Sequence, residues 1–360
     1  MIKNLHIIHN DKFTHRYIDF INQNFDSKEH YFLIFGGLSE KKFSVPKYFN
    51  IKYVEKPKVK NIFLKIILTV PLLYYLLLRL MIKSEKFYFH SLFDERMILF
   101  LFIFKKFLKK SYWVIWGGDL YCYKNRKNNF INKVWYKIED YVKGNFKGYI
   151  TEFEGDYKLA QQWYGAKGKW FDCFEYPSNF YKEIKLEETK KEELYIQIGN
   201  SADPSNNHFE ILEKLEKFKN QNIKLYCPLS YGNMEYAKKV IEIGKKIFKD
   251  NFIPLTEFME YTQYLELLSK IDIAIFAHNR QQAFGNITSL LSMEKTVYLK
   301  DEITTTEMLR KLGVKIKSFN KLENLEVFDN EILEKNKNIM KERFSEKKLV
   351  EEWGEIFKEV

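Results

Sequence analysis

The stretch "LYIQIGNSADPSNNH", Leu194–His208, is an apolar run that breaks at Gly199 into small and polar residues. "KLYCPLSYG" (Lys224–Gly232) and "PLTEFMEYTQYLELLSKIDIAIF" (Pro254–Phe276) break in the same way. "NRQQAFGNITSLL" (Asn279–Leu291) sets Arg-Gln-Gln just before a helical run. In an open parallel α/β sheet such breaks fall at the carboxyl ends of strands, where ligands bind. Several phosphate-friendly breaks in one half of the chain point to a nucleotide-diphosphate site.

The first half alternates similarly. "NLHIIHN", "HYFLIFGG", "KFYFHSL", "YWVIWGGDLY" and "GYITEFEGDY" read as strands separated by helical stretches, which implies parallel βαβ units. A charged run without apolar periodicity, residues 182–193, reads as a linker. The expected organisation is one domain over 1–181, the linker over 182–193, a second domain over 194–340 and a terminal helix over 341–360. A chain of 360 residues is long enough for two such cores.

The net charge of +11 is unevenly placed. Residues 1–180 hold 30 Lys and Arg against 17 Asp and Glu, a net of +13, while residues 181–360 hold 29 against 31, a net of −2. An anionic partner is therefore expected for the first half. Ile62–Ile82 has an uncharged core of only 13 residues, Ile66–Leu78, short of a bilayer span. Lys65, Thr69, Arg79 and Lys83 fall near one helical face, the pattern of a helix lying in the membrane interface, with Pro71 as a kink. "MILFLFIFKKFLKK" (Met97–Lys110) adds a basic, aromatic tail to an apolar run. Both segments also fit helices packed on the first sheet. Nucleic acid is disfavoured, because the basic residues flank aliphatic runs and no known binding motif occurs. Cys122, Cys173 and Cys227 lie far apart, giving neither a zinc site nor a disulfide framework and suiting a reduced cytoplasmic setting. "MIKNLHIIHND" reads as a first strand, not a signal peptide.

Gly199, Asn200 and Ser201, with Ser205, Asn206 and His208, let backbone approach a ligand and offer hydroxyl and amide groups to phosphate or sugar. The same residues also suit a polar turn with a helix cap. Arg280, Gln281 and Gln282 precede Gly285 and Asn286 at a helix start, a place to hold a pyrophosphate and stabilise it as a leaving group. Tyr231 and Glu257 follow the intervening strands and are candidates for donor contacts. In the first half, Gly117 and Gly118 form a tight turn presenting Asp119, which either deprotonates an acceptor hydroxyl, binds the acceptor or caps the next helix. His90 is the second catalytic candidate, and His9 and Asn10, at the end of the first strand, belong with the acceptor side. No Asp-x-Asp pair or metal-spaced His cluster occurs, so neither a metal nor another cofactor is expected; GxGxxG, P-loop and GxSxG motifs are likewise absent.

"WVIWGGDLY", "IQIGNSADPSNNH", "PLSYGNMEYAKKV", "YLELLSKIDIAIF" and "RQQAFG" resemble, in order and spacing, glycosyltransferase family 56, the bacterial TDP-Fuc4NAc transferases. The resemblance covers about His90–Leu299. It implies a GT-B architecture of two Rossmann-like domains facing a central cleft, with the donor on the second and the acceptor on the first. It further implies metal-independent transfer of a deoxy-amino sugar from a nucleotide diphosphate, TDP favoured, to an undecaprenyl-diphosphate-linked saccharide. The setting would be peripheral, at the cytoplasmic face of the bacterial inner membrane. Ala202, Pro204 and Ala283 depart from the family's Gly, Arg and Gly, so the family's own sugar is not assumed. The alternatives are a GT-B nucleotide-sugar epimerase and a non-catalytic basic membrane-binding protein.

Overall fold

A computed structural model describes residues 2–11, 13–36, 46–54, 62–183 and 193–359. It divides into two compact units, residues 1–178 with 346–360, and residues 179–345. Most of the stretch expected as a linker, 184–192, lies outside the described residues.

The first unit runs β1 (Ile2–His9), α1 (Thr14–Asn24), β2 (His30–Phe35), β3 (Ile51–Val54), α2 (Ile62–Ile82), β4 (Ser84–His90) and α3 (Glu95–Ile103). It continues through β5 (Ser111–Val114), α4 (Gly118–Tyr121), α5 (Phe130–Gly144), β6 (Gly148–Ile150), α6 (Glu154–Tyr164) and β7 (Lys169–Phe171). All strand pairs are parallel, in the order β3-β2-β1-β4-β5-β6-β7. Chain direction across the sheet therefore reverses between β1 and β4, and the crevice beyond those two carboxyl ends is where such a sheet binds ligands. The central strands β1, β4, β5 and β6 are largely buried on both faces, as parallel strands between helical layers must be, while the edge strands β3 and β7 are not.

The second unit repeats the plan with β8 (Leu194–Ile198), α7 (His208–Leu215), β9 (Ile223–Pro228), α8 (Met234–Phe248), β10 (Phe252–Leu255) and α9 (Tyr261–Lys270). Then follow β11 (Ile273–Phe276), α10 (Phe284–Ser292), β12 (Thr296–Leu299), α11 (Thr304–Lys311), β13 (Lys317–Ser318) and α12 (Asn330–Arg343). Its sheet is again all parallel, ordered β10-β9-β8-β11-β12-β13, with the reversal between β8 and β11.

The last helix, α13 (Glu346–Lys358), belongs to the first unit. Leu349, Trp353 and Ile356 are buried along one face, as an amphipathic helix requires. Trp353 donates its indole N–H to the Glu175 carbonyl (3.0 Å), and Glu352 accepts from the Phe174 N–H (3.1 Å). α2 buries Leu73, Leu77 and Met81 and exposes Leu72, Tyr75 and Ile82. Among the described residues no helix is long and apolar enough to cross a membrane.

Candidate active site

In the second unit, β8 ends and the chain turns at Gly199 with φ +63°. A Cβ there would lie 2.3 Å from His208 Nε2 and 3.0 Å from Asn206 Oδ1, so only glycine fits. Asn206, fully buried, ties the loop together. Its Oδ1 accepts from the Asn200 N–H (2.9 Å), and its amide donates to Ser201 Oγ (3.2 Å) and the Asp203 carbonyl (3.0 Å). His278, which follows β11, places Nε2 3.0 Å from the same Oδ1. The two strand ends flanking the reversal point are therefore joined through one side chain.

A second chain of contacts leads outward. Ser205 Oγ sits 2.6 Å from Asp203 Oδ1 and 2.5 Å from Gln282 Oε1; the Gln282 amide donates to Asn200 Oδ1 (3.3 Å), and the Asn200 amide donates to Tyr231 Oη (3.1 Å). α10 starts after Ala283, held at φ +58°, and no side chain caps it. No side chain competes with an anion there and the helix dipole favours one, while the Asn286 N–H already bonds the Ala283 carbonyl (2.9 Å). Arg280 stands three residues before that cap, its Nη1 donating to the Gln281 carbonyl (3.1 Å).

Electrostatics reinforce the arrangement. Burial works against ionisation of Asp203, but hydrogen bonds from Ser205 and the Arg280 charge outweigh it and hold the carboxyl below its usual range. Burial pushes His278 down to about 3 and His208 to about 4, so both imidazoles are neutral near pH 7. His278 Nδ1 and His208 Nε2 are buried without hydrogen-bond partners. Gly285 offers its carbonyl to Thr288 and Ser289, and Asn286 is partly exposed in the first turn of α10. Glu257 is exposed beyond β10 and does not join the network. Asp203 and His278 are absent from the sequence expectations. "FAHNR" carried the one available signal for His278, a polar residue directly after an apolar run.

The first unit gathers its own polar strand ends. Asn10 donates its N–H to the Phe35 carbonyl (2.8 Å), and the His9 carbonyl accepts from Thr14 Oγ1 (2.6 Å); both residues are buried. Gly117 turns at φ +73°, and a Cβ on Gly118 would meet the Phe93 ring at 2.9 Å. Asp119 is 1% exposed. Its Oδ2 accepts from the Leu92 N–H (2.8 Å) and the Trp113 indole (2.7 Å), and its Oδ1 from the Trp116 N–H (3.0 Å). Burial raises its pKa, opposed by the Lys143 charge and the Trp113 hydrogen bond. These bonds hold the turn between β5 and α4 and present no oxygen to solvent. The turn was expected to present this carboxylate openly; it is buried instead, because three N–H groups converge on it. His90 is likewise fully buried, its Nδ1 2.6 Å from Tyr176 Oη.

Residues 79–350 match the family described as 4-alpha-L-fucosyltransferase, glycosyl transferase group 56. A glycosyltransferase from Rickettsia africae is similar in structure at TM-score 0.64 and 14% identity, covering 99% of this chain and 98% of that one. The E. coli trehalose-6-phosphate structure bound with UDP-2-fluoro glucose gives 0.65 at 10% identity, covering 99% of each chain. Sucrose-phosphate synthase from Thermosynechococcus elongatus gives 0.65 at 7% identity, covering 99% and 98%. At such identities these structures establish the fold, which is GT-B.

Proposed function

The chain belongs to glycosyltransferase group 56 and is a glycosyltransferase of GT-B fold, and from that premise we propose that its second unit binds a nucleoside-diphosphate sugar, TDP favoured, by the diphosphate. One observation carries the reading. At the β8/β11 reversal, the uncapped start of α10 and the Arg280 guanidinium share a loop system with Gly199 and Asn200. Helix-terminal N–H groups and a guanidinium neutralise a departing diphosphate as charge develops on it, which lowers the barrier without a metal. Ser201, Ser205, Asn206, His208 and Gln282 hold that frame, Tyr231 bonds Asn200 at its edge, and Glu257 is the proposed donor contact beyond β10.

The family description, a fucosyltransferase, supports a 6-deoxyhexose donor, and Fuc4NAc is the proposed sugar. The proposed acceptor is a lipid-linked saccharide bound by the first unit. Its apolar, basic helical face suits a peripheral position at the cytoplasmic side of a bacterial inner membrane. Phe102 of α3 packs edge-on against Tyr141 of α5 at 5.7 Å; Leu99 and Ile103 on α3 and Phe130, Ile131 and Val134 on α5 are exposed, as are Lys105, Lys106, Lys109 and Lys110 just after α3. Asp119 and His90 act in this reading by shaping the acceptor edge.

The test is a thermal-shift panel of the full chain against TDP, UDP, GDP and CDP, with and without EDTA. Selective stabilisation that survives EDTA is expected and identifies the donor's base. Stabilisation by none of the four would remove the donor-site assignment.

A further inference from the structure

Trp116 follows β5 at the carboxyl edge of the first sheet and is partly exposed. Its indole N–H donates to Tyr176 Oη (2.7 Å) and its backbone N–H to Asp119 Oδ1 (3.0 Å). Both polar groups are committed to the protein, so the indole offers a ligand only its π face. Phe13, Phe93 and Tyr176 meet it near perpendicular, at 6.1, 6.4 and 5.9 Å, and none of these rings stacks parallel on it.

The ring is fixed from behind by a buried chain. Tyr176 Oη lies 2.6 Å from His90 Nδ1, His90 Nε2 lies 3.3 Å from His6 Nδ1, and His6 Nε2 lies 3.1 Å from His30 Nδ1. The links can run in one direction throughout: Trp116 donates to Tyr176, Tyr176 to His90, His90 to His6 and His6 to His30, and the histidine links can equally run in reverse with Tyr176 accepting from both neighbours. The buried imidazoles thus hold the Tyr176 oxygen in place behind the Trp116 indole N–H.

Next to Tyr176 in the chain is Glu175, 7% exposed, whose Oε1 has no hydrogen-bond partner. Burial and then the Glu152 and Asp156 carboxylates push its pKa well above the usual range. That direction favours the protonated form, which can both donate to and accept from a hydroxyl. Tyr176, the next residue, accepts from the Trp116 indole, which places Glu175 and Trp116 at the same carboxyl edge of the sheet. An anion fits poorly beside these acidic groups. A pyranose ring fits well, with its C–H face on the indole and a hydroxyl on the carboxyl.

We propose that Trp116 and Glu175 form a carbohydrate subsite in the first unit, taking a pyranose ring of the acceptor. The proposal rests on the reading that the acceptor binds this unit. Saturation-transfer-difference NMR of the full chain with N-acetylglucosamine, N-acetylmannosamine and glucose as probes tests it. Transfer to the ring protons of at least one sugar is expected. Trp116→Ala should reduce it at least roughly threefold, Trp116→Phe should retain most of it, and Glu175→Gln should bind better than Glu175→Leu. Trp116→Leu reads the same loss should the alanine variant fail to fold. An undiminished signal in the Ala and Leu variants overturns the subsite, as does absence of transfer to all three sugars from the unsubstituted protein. Thermal stabilisation by nucleoside diphosphate, read on the same samples, reports the second unit alone. Its absence throughout removes the donor-site reading, whereas its presence with an undiminished sugar signal removes only the subsite.

Discussion

Asn206 Oδ1 and His278 Nε2 lie 3.0 Å apart, joining the loop after β8 to the end of β11 across 72 residues of sequence. The same oxygen accepts from the Asn200 N–H, so one buried amide sets the distance between the two halves of the proposed diphosphate cradle.

Asn206→Ala leaves the Asn200 N–H and the His278 ring without that acceptor in a buried place. Each such loss costs about 1–3 kcal/mol, so a destabilisation of about 2–6 kcal/mol is expected. Urea unfolding measures it, and a thermal-shift series with TDP should show the ligand response weakened too. Unchanged stability and an unchanged response would show that the amide is not the tie.

Gly199→Ala meets two penalties: a left-handed backbone, about 1–2 kcal/mol for a side-chain-bearing residue, and a contact 2.3 Å from His208 Nε2. His208 is held by Tyr236, with Nδ1 and Oη 3.3 Å apart, and has little room to retreat. The pair Gly199→Ala and His208→Ala should therefore be less destabilising than the sum of the single changes. A double-mutant cycle measures this, and strict additivity would place the cost in the backbone alone.

Acid should destabilise the protein early. Burial lowers His90 to about 3, His30 to about 4 and His6 well below its ordinary value, as it does His208 and His278. Each folded pKa lies below the unfolded value near 6.5, so the unfolded chain binds more protons as pH falls. Stability from this source is complete above about pH 6.5 and falls as pH drops toward 4, by up to about 1.4 kcal/mol per pH unit for each histidine. Asp119 and Glu175, raised in the fold, act in the opposite sense, but two groups oppose five. Urea midpoints at pH 7.0, 6.0 and 5.0 should decline steadily. A flat series would contradict the buried neutral state of the histidines.

Strand ends were legible in the sequence because apolar runs stopping at Gly199, Gly117 or Gly232 mark where a buried strand meets polar chain. The expected strands "NLHIIHN", "HYFLIFGG" and "YWVIWGGDLY" correspond to β1, β2 and β5. β3 and β7, of four and three residues at the sheet edges, carry too little pattern to stand out. The amphipathic pattern of α13 indicates that it packs without indicating on which sheet. The histidine chain was hidden for a topological reason. Asn4 pairs with His30 and Ile8 with His90, so His6 falls between them on one face of β1, a relation that exists only once β2, β1 and β4 are neighbours. Asp119 misled because a turn carboxylate looks alike in sequence whether it serves solvent or three buried N–H groups.

Arg280→Ala should weaken TDP binding roughly tenfold to a hundredfold, the range for a charge-assisted contact of about 1.5–3 kcal/mol. Arg280→Lys should recover part of it, since a point charge replaces a bidentate fork. Isothermal titration supplies the affinities. Lost transfer with unchanged affinity for TDP would move Arg280 out of the ground-state site.

Membrane attachment separates into charge and insertion. Phe130 and Ile131, 82% and 79% exposed at the start of α5, are the most exposed large apolar side chains among the described residues, and Lys127 and Lys133 flank them. Burial in lipid should contribute about 1.5–3 kcal/mol for each such side chain, and each lysine near an anionic surface about 1 kcal/mol. Replacing Lys105, Lys106, Lys109 and Lys110 with Glu should therefore release the protein from phosphatidylglycerol vesicles at low salt. The pair Phe130→Ser and Ile131→Ser should weaken binding even at high salt, where screening has already removed the charge contribution. Co-sedimentation across a salt series measures both. Equal binding by all three proteins would take this face away from the membrane and leave its exposed apolar residues for another partner.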